Sequence, residues 1–313
     1  MQSSAINVDV NCIMTNTLIS IVGPTAIGKT ALSIKLAQHF NADIISADSR
    51  QFYKEMNIGT AVPSAEELGG ATHHFIQHKS ISESYNVGDF ERDAINKIEQ
   101  LHKVHSTVVM VGGSGLYVKA VTKGLDYFPE IDSNIRTELN NRLEKEGIYA
   151  LQKQLELLDS QAYQSIAIDN PQRVIRALEI CIGTRIPYSS FLTNPEKNRK
   201  FKTLTIGLNT ERSIIYDRIN QRVDIMIENG LLEEVKKLIP HRRLNALNTV
   251  GYKELFEYYE GNTTLEFAIS EIKKNTRRFA KRQLTWFKKD ESIDWFDYNT
   301  DIKEIINCIE KQL

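Results

Sequence analysis

The stretch Gly23-Pro24-Thr25-Ala26-Ile27-Gly28-Lys29-Thr30 matches the pattern G-x-x-x-x-G-K-[ST] at every fixed position. It follows the apolar run Leu18 to Val22 and precedes Ala31 to Phe40, which has helix-forming composition. Strand, glycine-framed turn and helix are the context that gives this motif its meaning. Glycines at both ends let successive backbone N–H groups turn into one concave nest, and the following helix offers its positive N-terminal end. A chain of phosphates fits such a cradle. Lys29 would reach the outer phosphate oxygens, and the Thr30 hydroxyl would hold a Mg²⁺ that bridges them. The motif predicts a phosphate site without saying which bond is broken.

Outward from the loop, Ala42-Asp43-Ile44-Ile45-Ser46-Ala47-Asp48 reads as a buried parallel strand ending on a carboxylate. If the sheet is parallel, that carboxylate emerges at the same edge as the phosphate loop. Asp48 then has three readings: a Mg²⁺-supporting carboxylate, a general base facing an acceptor, or the cap of a following helix. Thr107 to Val111 is a β-branched strand closed by Gly112-Gly113-Ser114-Gly115. A nucleotide-hydrolysing motor would want a carboxylate at this second strand end, and glycines stand there instead. Residues 87–102 carry Phe90, Ala94, Ile98 and Leu101 at helical spacing. The fold expected is α/β, a P-loop NTPase-like parallel sheet flanked by helices.

From about Pro129 to Lys200 the pattern changes to charged helices without a convincing strand, with Asn170-Pro171 as a helix start. Residues 129–200 are therefore expected to form a helical insertion domain between two parts of the core, 14–128 and 201–313. Phe201 to Leu208 returns to strand composition, and the remainder reads as helical. Residues 1–13 are polar and contain no Lys or Arg; they are expected to be a disordered leader.

Composition narrows the function less than the motifs do. The 313 residues carry 39 Lys plus Arg against 40 Asp plus Glu, so a polyanion site must come from local clustering. Cys12, Cys181 and Cys308 form no C-x-x-C pair, which suits a reducing, cytoplasmic setting. No run approaches the roughly 20 apolar residues of a membrane span. A monomer is expected.

The clustering occurs between Lys273 and Lys289, where no acidic residue falls. Helical spacing places Ala268, Ile272 and Phe279 on a buried face and leaves Lys274, Arg278, Lys281 and Lys288 as a basic ridge about 20 Å long. Such a ridge suits a nucleic-acid backbone. Arg173 with Arg176, and Arg218 with Arg222, each share a helix face and could clamp phosphates. The pair His73-His74 has no second ligand group at metal spacing and reads as loop or core histidines.

Several stretches together resemble one family, the tRNA dimethylallyltransferases (tRNA isopentenyl transferases), of bacterial type. They are the phosphate loop; Asp48-Ser49-Arg50-Gln51-Phe52-Tyr53; Gly59-Thr60-Ala61; Val111 to Tyr117; Asn170 to Glu179; Arg218 to Val223; Gly251-Tyr252-Lys253-Glu254; and Thr276 to Trp286. They occur in the family's order from residue 18 to about 290, and only the first is generic. The resemblance implies transfer of a dimethylallyl group from its diphosphate to N6 of the adenosine 3′ of the anticodon. It also implies roles: Asp48 as the base at the acceptor amine, with Ser49, Arg50 and Gln51 beside it; Lys29 and Arg222 facing the diphosphate; and Ser114 and Arg136 touching tRNA. Gln172, Arg173, Val174, Ile175 and Arg176, and Asn248, Thr249, Val250, Gly251, Tyr252 and Lys253, would line the tRNA path, joined by Arg278 and Lys281 of the ridge. Three positions depart from the family pattern: Ile27 for a small Ser, Val62 for Lys, and Ser114 for Thr. The first changes little where backbone amides hold the phosphates, and the second removes a cation.

Two other classes use the same loop. A small-molecule kinase would bind ATP there and has no need of the ridge; an RNA-remodelling NTPase needs a hydrolytic carboxylate that the second strand end does not offer.

Overall fold

The computed structural model describes residues 16–193 and 198–313, so the expected leader at 1–13 lies outside the described residues. The chain divides into two compact units, one formed by Met1–Thr122 with Asn198–Leu313 and the other by Lys123–Lys197. The second unit thus begins at Lys123 rather than Pro129, directly after a helix that ends at Thr122 and before the left-handed Gly124 (φ 89°).

In the first unit six strands, β1 (Thr17–Val22), β2 (Ile44–Ser46), β3 (His73–His74), β4 (Thr107–Val111), β5 (Lys202–Asn209) and β6 (Ile293–Asp297), form one sheet in the order β3-β2-β4-β1-β5-β6. Every pairing is parallel. β1 is central and buried along its whole length. Its alternation sends Leu18 and Val22 into the core on one face and Ile19 and Ile21 into the core on the other, as a sheet covered on both faces requires. Its register sets Ile21 against Val111 and Val22 against Gly207, so β1 and β4 end within a residue of each other and β5 runs two residues further. The chain leaves them where a parallel sheet presents its ligand site, outside the carboxyl ends of the strands.

Two elements differ from expectation. Ile293-Asp294-Trp295-Phe296-Asp297 is an edge strand in a stretch read as helical: it pairs only with β5, and only Ile293 is buried. His73 and His74 form the opposite edge strand, where the His74 ring is 2.8 Å from the Asp43 carboxylate. Among the described residues no group of three His, Cys, Asp or Glu is placed to hold a metal, and no helix is long and apolar enough to cross a membrane.

The second unit is a small helical body with helices Ser133–Glu146, Ile148–Leu158, Ser160–Ser165 and Pro171–Thr184. The apolar pattern through Leu158 is interrupted at Gly147, whose φ of 77° ends one helix before the next begins. Its core joins Leu139, Leu151, Leu155, Ala162, Val174, Ile175 and Leu178. Asn170 starts the last helix as expected, its side chain accepting from the N–H groups of Gln172 (3.0 Å) and Arg173 (3.4 Å) with Pro171 in the first turn.

Candidate active site

The phosphate loop leaves β1 at Gly23, whose φ of 144° suits only glycine, and a Cβ there would lie 2.5 Å from the Leu208 carbonyl of β5. Gly28, at φ 107°, caps the helix Lys29–Phe40. Between them Ala26 takes a left-handed φ of 64°, and its carbonyl accepts from Arg218 Nε at 2.7 Å. The Lys29 ammonium donates to the Pro24 carbonyl at 2.7 Å, folded back across the mouth of the loop. Burial lowers its pKa to about 8; Asp48 works against that shift and Arg222 adds to it. Burial also lowers the pKa of Arg222, while Asp48 and Glu67 favour its charged form and Arg218 opposes it. Lys29, Asp48, Arg222 and Arg218 thus form one electrostatic group beside the loop.

Two clefts open at this end of the sheet. The first, about 510 Å³, is lined by residues 25–31 of the loop and helix start, by Ser46, Asp48 and Gln51, by Glu67 and His73, and by Arg218 and Arg222. The second, about 740 Å³, is bounded by Ser49 and Arg50, by residues 113–117, by 248–251, Lys253 and Glu254, and by Phe279, Arg282, Gln283 and Trp286. Thr25, Asp48, Thr60, Ala61 and Arg222 line both. The phosphate cradle and the larger cleft therefore meet at one carboxylate and one guanidinium. Arg222 Nη1 stands 3.4 Å from the Thr25 hydroxyl at that junction.

Residues 51–290 match the IPP transferase family. The chain belongs to this family. The matched stretch begins after the phosphate loop, so the loop motif is an independent observation. The chain is 61% identical to a tRNA dimethylallyltransferase of Christiangramia forsetii over 300 residues, covering 96% of this chain and 99% of the relative. It is 60% identical to the enzyme of that name from Flavobacterium johnsoniae over 302 residues, covering 95% and 98%. Among solved structures it resembles a full-length tRNA isopentenylpyrophosphate transferase of Bacillus halodurans, with a TM-score of 0.71 at 41% identity, covering 95% of this chain and 96% of that one. It also resembles a eukaryotic dimethylallyltransferase acting on tRNA, with a TM-score of 0.75 at 28% identity over 91% of this chain and 75% of that one.

Within this family member, Asp48 caps no helix. A run of turns follows it, and its Oδ1 accepts from the Arg50 N–H at 3.1 Å, leaving the carboxylate on the wall of both clefts. Ser114 is 3.2 Å from the Ser49 hydroxyl, and both line the larger cleft. Arg50 Nη1 donates to the carbonyls of Asn245 (3.3 Å) and Ala246 (2.8 Å), which ties the Asp48 segment to the chain entering Asn248–Gly251. Gln51 faces the phosphate cleft.

Three residues expected to touch tRNA do not present their side chains. Tyr252 is fully buried and donates to Glu234 at 2.6 Å, and Val174 and Ile175 lie fully buried in the helical core. A binding segment on a helix contains inward-facing positions by geometry, and these residues occupy them. In the helical unit, the buried Glu179 carboxylate pairs with Arg136 (3.1 Å) and Arg176 (2.9 Å), while Arg136 also reaches Gln172 (3.3 Å).

The basic ridge on helix Leu265–Phe287 is less uniform than its sequence. Lys274 is paired with Glu271 at 2.6 Å and Lys273 with Asp224 at 2.6 Å, so carboxylates outside the 273–289 window partly neutralise it. Phe279 is 39% exposed instead of buried; Ala280, Gln283 and Phe287 complete the buried face with Ala268 and Ile272. Asn275, Phe279 and Arg282 face the larger cleft. Each follows one residue after Lys274, Arg278 and Lys281, which sets the ridge about 100° around the helix from that cleft.

Gln283 has no signal of its own in the sequence. Buried on this helix, it accepts from the Thr25 N–H at 2.9 Å and donates to the Gly113 carbonyl at 2.9 Å, joining the phosphate loop to the turn after β4. In the chain it stands inside the Thr276–Trp286 stretch of the resemblance, where no role falls to it.

Proposed function

We propose that the chain transfers a dimethylallyl group from dimethylallyl diphosphate to N6 of the adenosine 3′-adjacent to the anticodon in tRNA, releasing diphosphate. The observation that carries this reading is the pair of clefts sharing Thr25, Asp48, Thr60, Ala61 and Arg222. The smaller cleft takes a diphosphate on backbone N–H groups and Lys29; the larger admits a base, with Asp48 and Arg222 at the junction.

An adenine N6 is a weak nucleophile because its lone pair is delocalised into the ring, so the leaving group must carry much of the reaction. Lys29, Arg222 and the loop amides stabilise charge as it develops on the departing diphosphate. The allylic carbon–oxygen bond breaks with its electron pair going to diphosphate. The N6 lone pair then forms the new carbon–nitrogen bond, and Asp48 removes the N6 proton. The base is reached by extrusion from its stack.

A Mg²⁺ fits the site: the Thr30 hydroxyl lines the phosphate cleft and would supply a hard oxygen ligand, as an ion held by one protein group and substrate phosphates requires. When bound it would supply further neutralisation of the diphosphate. The setting inferred is the cytoplasm and the working form a monomer.

Incubating the protein with tRNA, dimethylallyl diphosphate and Mg²⁺, then analysing nucleosides by mass spectrometry, tests the reading. One modified adenosine carrying the added prenyl mass is expected. ATP turnover with no such nucleoside would move the function to the kinase class.

A further inference from the structure

The loop 57–61 is a wall common to both clefts: Thr60 and Ala61 line each of them, and Gly59 lines the larger. Its backbone converges on a carboxylate that is remote in sequence. Glu234, on helix Leu231–Leu238, accepts from the N–H groups of Asn57 (3.0 Å), Ile58 (2.7 Å) and Gly59 (3.0 Å), and the Tyr252 phenol donates to it at 2.6 Å. Three successive amides closing on one anion make a nest, the device that phosphate loops use for substrate. Here the protein's own carboxylate fills it.

Both partners of this anchor are built in. Tyr252 is fully buried beneath Gly59, where a Cβ would meet its ring at 2.6 Å. Burial and then Glu234 push the phenol's pKa upward, so it remains a donor. On the other side of the wall, Gln51 Nε2 donates to the carbonyls of Thr60 (3.3 Å) and Ala61 (2.9 Å), and the Gln51 N–H donates to the Asp48 carbonyl at 3.1 Å. The wall is gripped by Glu234 through its N–H groups and by the Asp48 segment through its carbonyls. Although Glu234 stands in the first turn of its helix, the described hydrogen bonds of its carboxylate all go to the loop and to Tyr252, so capping its own helix is not the carboxylate's use.

We infer that Glu234 is a positioning residue for the transfer: it fixes the wall 57–61 between the clefts and thereby sets the placement of Asp48 against the reacting centre. This rests on the functional reading above. Displacing that wall should impair the chemical step more than substrate binding, because the phosphate loop, Lys29 and Arg222 are held by other contacts. A misplacement of about 1 Å is enough to lower a rate up to about 10²-fold.

The test compares wild type with Glu234→Gln, Glu234→Asp and Tyr252→Phe in steady-state transfer from dimethylallyl diphosphate to an anticodon stem-loop RNA, together with amide hydrogen exchange. Gln keeps one acceptor oxygen, and Asp keeps the charge but is one methylene short. Both should lower kcat by about 10- to 100-fold with each KM within about threefold, and Tyr252→Phe by less. Exchange at Asn57, Ile58 and Gly59 should accelerate while β1 and β4 stay protected. Normal turnover by Glu234→Asp would show that charge rather than reach matters and overturn the proposal. So would normal turnover by Glu234→Gln despite fast exchange in the loop, or loss of protection throughout the sheet. An inactive wild type would overturn the functional reading and this proposal with it; a variant equal to an active wild type overturns the proposal alone.

Discussion

Arg218 Nε holds the Ala26 carbonyl at 2.7 Å, at the one left-handed alanine of the phosphate loop, while Arg222, one helical turn on, stands beside Thr25 where the two clefts join. Two arginines four residues apart therefore divide their work. Arg218 holds a loop carbonyl, and under the proposed function Arg222 faces the reaction. Arg218→Ala should raise KM for the diphosphate with a modest change in kcat, and Arg222→Ala should lower kcat about 10²- to 10³-fold, as loss of a transition-state donor does. Steady-state kinetics at varied donor and saturating tRNA separates the two.

Asp48→Asn preserves an acceptor for the Arg50 N–H and so keeps the local turn. It removes basicity. Turnover should fall by about 10²- to 10⁴-fold, with tRNA affinity within about twofold of wild type. Near-normal turnover at saturating substrates would end the assignment of Asp48 as the base.

Lys29 gives the site a pH dependence. Below about 8 its ammonium is charged in the free protein and, under the proposed function, is the form that binds diphosphate; above that it loses its proton. Log kcat/KM for the donor should therefore bend downward near pH 8, whereas the kcat profile should bend at higher pH because bound diphosphate favours the charged amine. Stability moves the other way. Between about 8 and the ordinary value of 10.5 the unfolded chain binds the proton that the folded chain has lost, so this group adds stability as pH rises through that window. Lys29→Met should remove both the kcat/KM limb and this contribution to the stability profile.

The ridge should be uneven in its effect on RNA binding. Arg278→Ala and Lys281→Ala should each reduce the salt slope of tRNA affinity by about one unit, measured between roughly 50 and 200 mM salt. Lys274→Ala should reduce it by less, because Glu271 already neutralises that charge. Equal slopes for wild type and all three variants would remove the ridge from the interface.

The phosphate loop and Asp48 were legible because each is local: a motif of eight residues following one strand, and a carboxylate at the end of another. Contacts between distant segments were not. Glu234 meets its loop across 175 to 177 residues, and Gln283 meets Thr25 across 258, so neither contact shows in any window of the chain, although Gln283 lies in a stretch that carries the resemblance. The burial of Tyr252, Val174 and Ile175 was not legible because a resemblance marks segments, whereas helix geometry decides which side chains in them turn inward. The ridge was overdrawn because Asp224, Glu271 and their lysines approach through folding on one side and one helical turn on the other. The edge strand at Ile293 was missed because it is short, carries two aspartates and is largely unburied.

The Gln283 amide has a consequence for timing as the chain is made. The phosphate loop is complete in sequence by Thr30, and its strand β1 lies between β4 and β5. Yet β5 begins at Lys202, after the helical unit, and the Thr25 N–H meets its partner only at residue 283. At about 5 to 20 residues per second, roughly ten to fifty seconds of synthesis separate the loop from its brace. A ribosome-bound chain halted before residue 283 would carry the whole motif and still lack the side chain that accepts from the Thr25 N–H, so the loop is braced only once the helix that bears the basic ridge has also been made.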